Sequence, residues 1–354
     1  MSPVTLKMIA EKAGTTVATV SMALRHHKRI SPATRQRIQR LADEMGYQVN
    51  PAVAALMTHV RRSRPVETKE TLAVIHTFPT REDWRSNEPT RRIVVGIETR
   101  GRQLGYRTEM FWHNEPGMSP ERLAEILRAR GIRGVIFVPW PMHLLNLDFD
   151  WTGFAAATIN YNVTSPPLHC SAEDFFGNVR LAIDELWRRG FRRIGFVSKR
   201  YHEPESSYRL AAAYTRFLTL HEDRSLPDPE VLLMENWNRE KFQARHRDAF
   251  LAWHKHERCE AIITLDWDVG RWLPAAGIKV PEEVSVLLLN QCPRFGHFSG
   301  IDPNYEMLGA AAMDLVAEQI TNNESGLPLS PKEVLAHGRW AEGKMVRAEN
   351  RNRE

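Results

Sequence analysis

The chain has 354 residues, 42% hydrophobic and 26% charged, with a net charge of +5. This length implies two or three domains, and this balance an ordinary globular protein. No apolar run approaches the ~20 residues of a membrane span, "MSPVTLKMIAEKAG" has no apolar signal core, and Cys170, Cys259 and Cys292 lie too far apart for a disulfide framework. A cytoplasmic protein without membrane attachment is expected.

The charge is unevenly placed. Residues 1–64 hold eleven Lys or Arg against three acidic residues, a net +8, which leaves −3 on the remaining 290. A basic head on a mildly acidic body points to a polyanionic partner, whereas a merely solvated surface would spread its charge.

Three helical periods fit the head. Thr5 can cap a first helix with the apolar stripe Leu6, Ile9, Ala10 and Ala13, stopped by Gly14. Thr16 can cap a second, with Val20, Ala23 and Leu24 facing inward. Ser31 and Pro32 start a third, with the stripe Ile38, Leu41, Ala42 and Met45 and a stop at Gly46. Helix, glycine-containing turn, helix and a closing third helix form a helix-turn-helix arrangement; a generic three-helix bundle is disfavoured by the charge. Next, "YQVNPAVAALMTHVRRSRP" offers a helix of about ten residues from Asn50 and Pro51, marginal alone and expected to order on binding.

From Thr71 onward, apolar strands alternate with helices. The strands are "TLAVIHT", "RTEMFWH", "GVIFVPW", "FAAATIN", "RIGFVSK", "AIITLDW" and "EVSVLLLN". Helices are expected at Arg92–Leu104, Glu121–Arg130, Phe175–Arg189, Tyr208–His221 and Arg239–His256. Such units imply parallel sheets covered on both faces, and about 270 residues favour two lobes over one open sheet.

The head stretches "TLKMIAEKAGTTVATVSMAL" and "ISPATRQRIQRLADEMGYQVNPAVAALM" closely resemble the LacI/GalR family of bacterial transcription regulators. The resemblance implies a second helix in the major groove of operator DNA, presenting Val17, Ala18, Ser21 and Met22 to the bases. It gives Thr5, Thr16, Thr19, Ser21 and Arg25 to the phosphates. Met22 stands where the family commonly has Arg. Asn50 opens the segment matching the hinge helix, in which Leu56 is the minor-groove wedge.

The body resembles the type I periplasmic-binding-protein fold that the family uses as an effector-sensing core. "EVSVLLLN" and "FSGIDPNYEMLGAAAMDLV" match its late strand and returning helix. The implied division is a head at 1–49, a hinge at 50–70, a core at 71–341 and a tail at 342–354. Lobe one would hold about 71–162 and 291–322, lobe two about 163–290 and 323–341, with three crossings and a ligand in the crevice at the strand ends. Arg209 matches the pocket arginine, Trp237 an aromatic that packs on a sugar ring, and Asn290 a position usually Asp. His76, Phe78 and Trp140 are added by loop position and Asp266 as a strand end. Ala212, usually Gly, and the ending "LLLNQC" mark a divergent pocket.

Enzyme signatures are missing: no Gly-x-Ser-x-Gly, P-loop, His-Glu-x-x-His or dinucleotide fingerprint occurs. Asp266 and Asp268 read as a strand end and a helix cap, and His254, His256 and Cys259 as a solvated helix end. The expectation is therefore an α-helical helix-turn-helix head on a two-lobed α/β core: a homodimeric transcriptional regulator, by default a repressor. Its expected partners are double-stranded operator DNA and a small-molecule, sugar-like effector, with no cofactor, metal or catalytic residue. The absence of leucine heptads after Val346 predicts no coiled-coil tetramer.

Overall fold

The structure, a computed structural model, describes residues 4–24, 30–47, 70–139, 144–220, 229–235 and 243–348. In the head, α1 (Leu6–Ala13), α2 (Val17–Leu24) and α3 (Pro32–Glu44) form where the caps and stripes place them. Thr5, Thr16 and Ser31 each accept a backbone N–H, from Met8, Thr19 and Thr34 respectively. These bonds satisfy donors that a first helical turn leaves open. Gly14 closes α1 in the left-handed conformation, at φ 61°, a state that a residue with a Cβ adopts at a cost. Ile9, Ala10, Ala13, Val20, Ala23, Ile38 and Ala42 share one buried cluster. Arg37 donates to the Ala13 carbonyl at 3.1 Å and ties α3 to the end of α1.

The body begins with β1 (Thr71–His76), the short α4 (Asp83–Ser86), α5 (Glu88–Leu104), β2 (Arg107–Trp112), α6 (Pro120–Ala129) and β3 (Gly134–Val138). There follow β4 (Leu145–Asn146), β5 (Ala155–Ile159), β6 (Val163–Ser165), β7 (His169–Glu173), α7 (Phe175–Arg188) and β8 (Ile194–Lys199). Next come α8 (His202–Glu205), α9 (Arg209–Leu218), β9 (Leu232–Met234), α10 (Gln243–Glu257), β10 (Ala261–Thr264), α11 (Val269–Ala275) and β11 (Ser285–Leu288). The last elements are β12 (Ser299–Asp302), α12 (Tyr305–Asn322), β13 (Glu333–Ala336) and β14 (Arg339–Ala341). Every strand expected from an apolar run is present, and the expected helices are present with ends moved by a few residues.

Two six-stranded sheets result, ordered β13-β7-β5-β3-β1-β2 and β14-β12-β11-β10-β8-β9. The first is parallel throughout; in the second only β14 runs antiparallel, against β12. Parallel strands need crossover helices, and those helices cover the faces. In lobe one α5 and α12 come into backbone contact. A Cβ added at Gly96 would lie 2.0 Å from the Glu306 carbonyl oxygen, and one at Gly309 2.0 Å from that of Ile93. Only glycine permits that approach.

The expected lobe boundaries need correction. β7 pairs with β5 and β13 in the first sheet, so residues 163–173 belong with lobe one. β12 lies in the second sheet and β13 in the first, the reverse of the expected assignment. The chain thus passes between sheets near Asp174, Pro303 and His337. The reason is chemical: "HCSAE" carries no apolar signal, yet all five residues are buried. Two of the polar side chains are satisfied by distant segments, Ser171 donating to the Leu308 carbonyl (2.9 Å) and His169 Nδ1 accepting from the Lys332 N–H (2.8 Å). The expected tail is also partly core. Val346 is buried in the lobe-two cluster, and the Val286 N–H donates to the Met345 carbonyl at 2.7 Å.

Candidate functional site

On the head, the start of α2 offers Thr16, Val17 and Ala18 to solvent, with Thr19, Ser21 and Met22 half-buried. Thr16 and Thr19 hydroxyls lie 2.9 Å apart, so the cap organises the helix face that Val17 and Ala18 lead. Met22, expected to face the groove, is half-buried and packs partly on the head's core. Thr5 is exposed at the cap of α1. Arg25, Asn50 and Leu56 lie outside the described residues, as do Trp140 and Trp237.

In the body, a cavity of about 460 Å³ opens between the lobes. On one side it is lined from the carboxyl ends of β3, β5 and β7, and on the other from those of β8, β10 and β11. That is where open α/β sheets place ligands, since loops leaving the strand ends converge there. Asp266 and Asn290 both line it, as expected. The Lys199 ammonium, at the end of β8, sits 2.9 Å from the Asp266 carboxylate, the two side chains 7% and 3% exposed. Asn290 donates from Nδ2 to the Leu265 carbonyl at 3.1 Å. Its Oδ1 is buried with no partner among the described residues. Trp267 also lines the cavity, half-buried and stacked on Phe295 with centroids 5.8 Å apart.

The other expected residues fall elsewhere. His76 is buried, but it faces a smaller recess of about 280 Å³ beside β2. Its ring lies 6.0 Å from Phe78 and 6.3 Å from Trp84, and burial pushes its pKa down to about 4. Phe78 packs with Trp84 and Val94. Both miss the cavity because β1 stands one strand from the sheet edge, whereas the crevice lies over β3, β5 and β7. Arg209 is corrected as well, for it does not line the cavity. It makes paired bonds of 2.9 and 3.3 Å to Glu333 and lies 4.4 Å from the Tyr161 ring. As α9 belongs to lobe two and β13 to the lobe-one sheet, this ion pair spans the lobes. Its partner is 124 residues away in sequence, out of reach of any local pattern.

Sequence reasoning passed over Asn160, Asn162, Glu173, Lys199, Glu205, Trp267 and Tyr305, all in the lining. Asn160, Asn162, Lys199 and Trp267 share a signal, a polar or aromatic residue at or just past the end of an apolar strand, as in "INYN", "VSK" and "LDW"; Glu173, Glu205 and Tyr305 carry no such signal. Asn160 Nδ2 donates to Glu173 Oε1 at 3.1 Å, and Asn162 Nδ2 to Glu205 Oε1 at 3.2 Å. Burial pushes the Glu173 carboxyl up to about 7. It pushes that of Glu205 up to about 8, with the like charge of Glu173 adding to the effect. Half-buried His202 is pushed the other way by desolvation, to about 3, and stays neutral.

Two family profiles match: bacterial regulatory proteins of the lacI family over residues 5–50, and the periplasmic binding protein-like domain over residues 183–339. The chain is 26% identical over 345 residues to the HTH-type transcriptional regulator CelR of Thermobifida fusca, covering 90% of this chain and 92% of that one. It is 25% identical over 219 residues to the HTH-type transcriptional repressor CytR of Escherichia coli K12, covering 58% of this chain and spanning 57% of CytR. Among solved structures it is similar to a transcriptional regulator CelR–cellobiose complex, at TM-score 0.59, 18% identity and coverage of 97% and 99%. The lac repressor dimer bound to operator and the anti-inducer ONPF gives TM-score 0.54, 17% identity and coverage of 98% and 100%. At these identities the structural likeness speaks for the fold. Head and core thus each match a known domain, residues 5–50 the lacI family of bacterial regulatory proteins and residues 183–339 the periplasmic binding protein-like domain, and their arrangement, a helix-turn-helix head before a two-lobed α/β core, is the fold of the similar solved structures.

Proposed function

We propose that this regulator is a repressor that grips operator DNA as a homodimer, with its grip set by a sugar-like ligand between the lobes. The observation that carries the reading is the cavity: polar side chains from both lobes line it, and Asn290 Oδ1 is left buried with no partner among the described residues. An unpaired buried acceptor is costly until a donor arrives, and a ligand hydroxyl is such a donor. Trp267, stacked on Phe295 and with the Arg271 guanidinium 5.3 Å from its ring, adds an aromatic edge to the same lining. The named relatives support the same reading, one as a repressor and one by its complex with cellobiose. A ligand touching both lobes favours one lobe arrangement over another, and only that difference in affinity can shift operator binding. The test is operator binding by the full chain across a carbohydrate panel. At least one member should change wild-type affinity several-fold and that of Asn290→Leu much less. Indifference to every member would tell against the reading.

On DNA, the exposed start of α2 reads bases, with Val17 and Ala18 against thymine methyl groups and Thr16, Thr19 and Ser21 on phosphates. Thr5, Arg25 and Asn50 add backbone contacts, and Leu56 wedges the minor groove. Apolar contact with a thymine methyl recognises sequence without a bidentate hydrogen bond. Met22→Arg should keep its stem on the head's core while the guanidinium reaches outward. It should add a guanine preference of about 1–3 kcal/mol at one symmetric operator position. Randomised-operator selection with both proteins measures this; a guanine already demanded by wild type there would exclude methyl reading.

A further inference from the structure

The chemistry of the inter-lobe cavity narrows its ligand further, on the footing that this cavity is the effector site. Among the described lining residues the acids are Glu88, Glu173, Glu205 and Asp266, and the cations are Lys199 and Arg294. Lys199 is held by Asp266 at 2.9 Å. Arg294 is exposed, its guanidinium 5.7 Å from the Phe295 ring. Glu88 has Arg91 at 3.9 Å. Among the described residues Glu173 and Glu205 have no ion-pair partner, and their carboxylates accept only from the amides of Asn160 and Asn162. Glu173 is 8% exposed, and its second oxygen, Oε2, has no hydrogen-bond partner among the described residues. Tyr305, 4% exposed and also lining the cavity, has a hydroxyl without a hydrogen-bond partner among them. His202 cannot serve as the missing cation, because burial keeps it neutral and its Nδ1 is engaged by Ser198 at 2.9 Å.

A buried carboxylate without a cation is costly, and two that feel one another are more so. We propose that the effector carries a protonated amine on a polyhydroxylated frame, an amino sugar in chemical class, with the ammonium seated between Glu173 of lobe one and Glu205 of lobe two. The ammonium supplies three donors and no acceptor, which suits acceptor oxygens and the Tyr305 hydroxyl together. The frame's hydroxyls then fall to Asn290 and to the Lys199–Asp266 pair. Since Glu173 ends a lobe-one strand and Glu205 a lobe-two helix, the cation bridges the lobes directly. Empty, the pair retains a proton; ammonium binding favours both carboxylates ionised and so releases it.

The experiment uses the full chain and matched ligands: glucosamine against glucose, and the β-1,4-linked dimer of glucosamine against cellobiose. Calorimetry is run near pH 7 in two buffers of different ionisation enthalpy. In at least one pair the amine should bind about tenfold tighter or better, as charge-assisted bonds do, and release about one proton per ligand. The neutral partner should release none. In Glu173→Gln/Glu205→Gln, its fold checked by operator binding, the amine preference should vanish. Amines that bind no better than neutral partners, a preference without proton release, or one that survives the double substitution would each overturn the proposal. Binding by the neutral sugars alone would overturn it while leaving the effector cavity in place. No binding by any member would remove the amino-sugar assignment as well.

Discussion

Asp266→Ala should destabilise the protein by about 3–5 kcal/mol, the usual cost of stripping one partner from a buried ion pair. The substitution leaves the Lys199 ammonium buried with its carboxylate gone. It also frees the Asp268 N–H, which donates to Asp266 Oδ1 at 3.1 Å. Lys199→Met combined with Asp266→Asn should recover most of the loss, because it removes both charges and keeps an acceptor for that N–H. Urea unfolding of the single and double variants gives the comparison. If the double variant is as unstable as the single, the stranded charge is not the cause. Because both residues line the cavity, each variant should also lose its response to ligand, even at temperatures where it remains folded.

Removing residues 1–64 should abolish operator binding and leave the two-lobed core folded. The truncation takes away the net +8 head, and the remaining lobes keep their own buried clusters, which share no residue with the head's. In the intact chain, each phosphate neutralised adds about 0.9 to the log–log salt slope. A pair of heads contacting six to ten phosphates would lose about 10³–10⁵ in affinity between 50 and 200 mM salt. Retained, salt-sensitive DNA binding by the truncated chain would place a DNA surface on the core and contradict the division of labour.

How much of this was legible in the sequence differs by region. The head was written locally: Thr5, Thr16 and Ser31 as caps, Gly14 as a stop and Ile9, Val20 and Ile38 inside, each at a spacing one helix can report. The strands of the core were equally open where apolar runs stood alone. The lobe boundaries were not, because β7 is buried with polar side chains such as Ser171 and His169 whose partners, Leu308 and Lys332, lie far along the chain, and β12 rests on small residues. The cavity was half-visible. Asp266 and Asn290 follow apolar strands that periodicity reports, whereas Glu173 ends a strand that gave no signal. Arg209 was misplaced because its ion pair with Glu333 depends on two distant segments meeting, which no spacing records. His76 and Phe78 failed for a topological reason: being at the end of the first strand says nothing until the strand order shows which ends meet the other lobe.

A ligand in the cavity controls the head only if the two sites are thermodynamically coupled, and such coupling is reciprocal. The dissociation constant of the bound sugar should be measured with and without saturating operator DNA, and that of the operator with and without saturating sugar. Linkage requires the two ratios to be equal, and each should fall at about 5–150, the usual range of allosteric coupling. Sugar affinity that operator leaves unchanged, together with operator affinity that sugar leaves unchanged, would contradict that coupling.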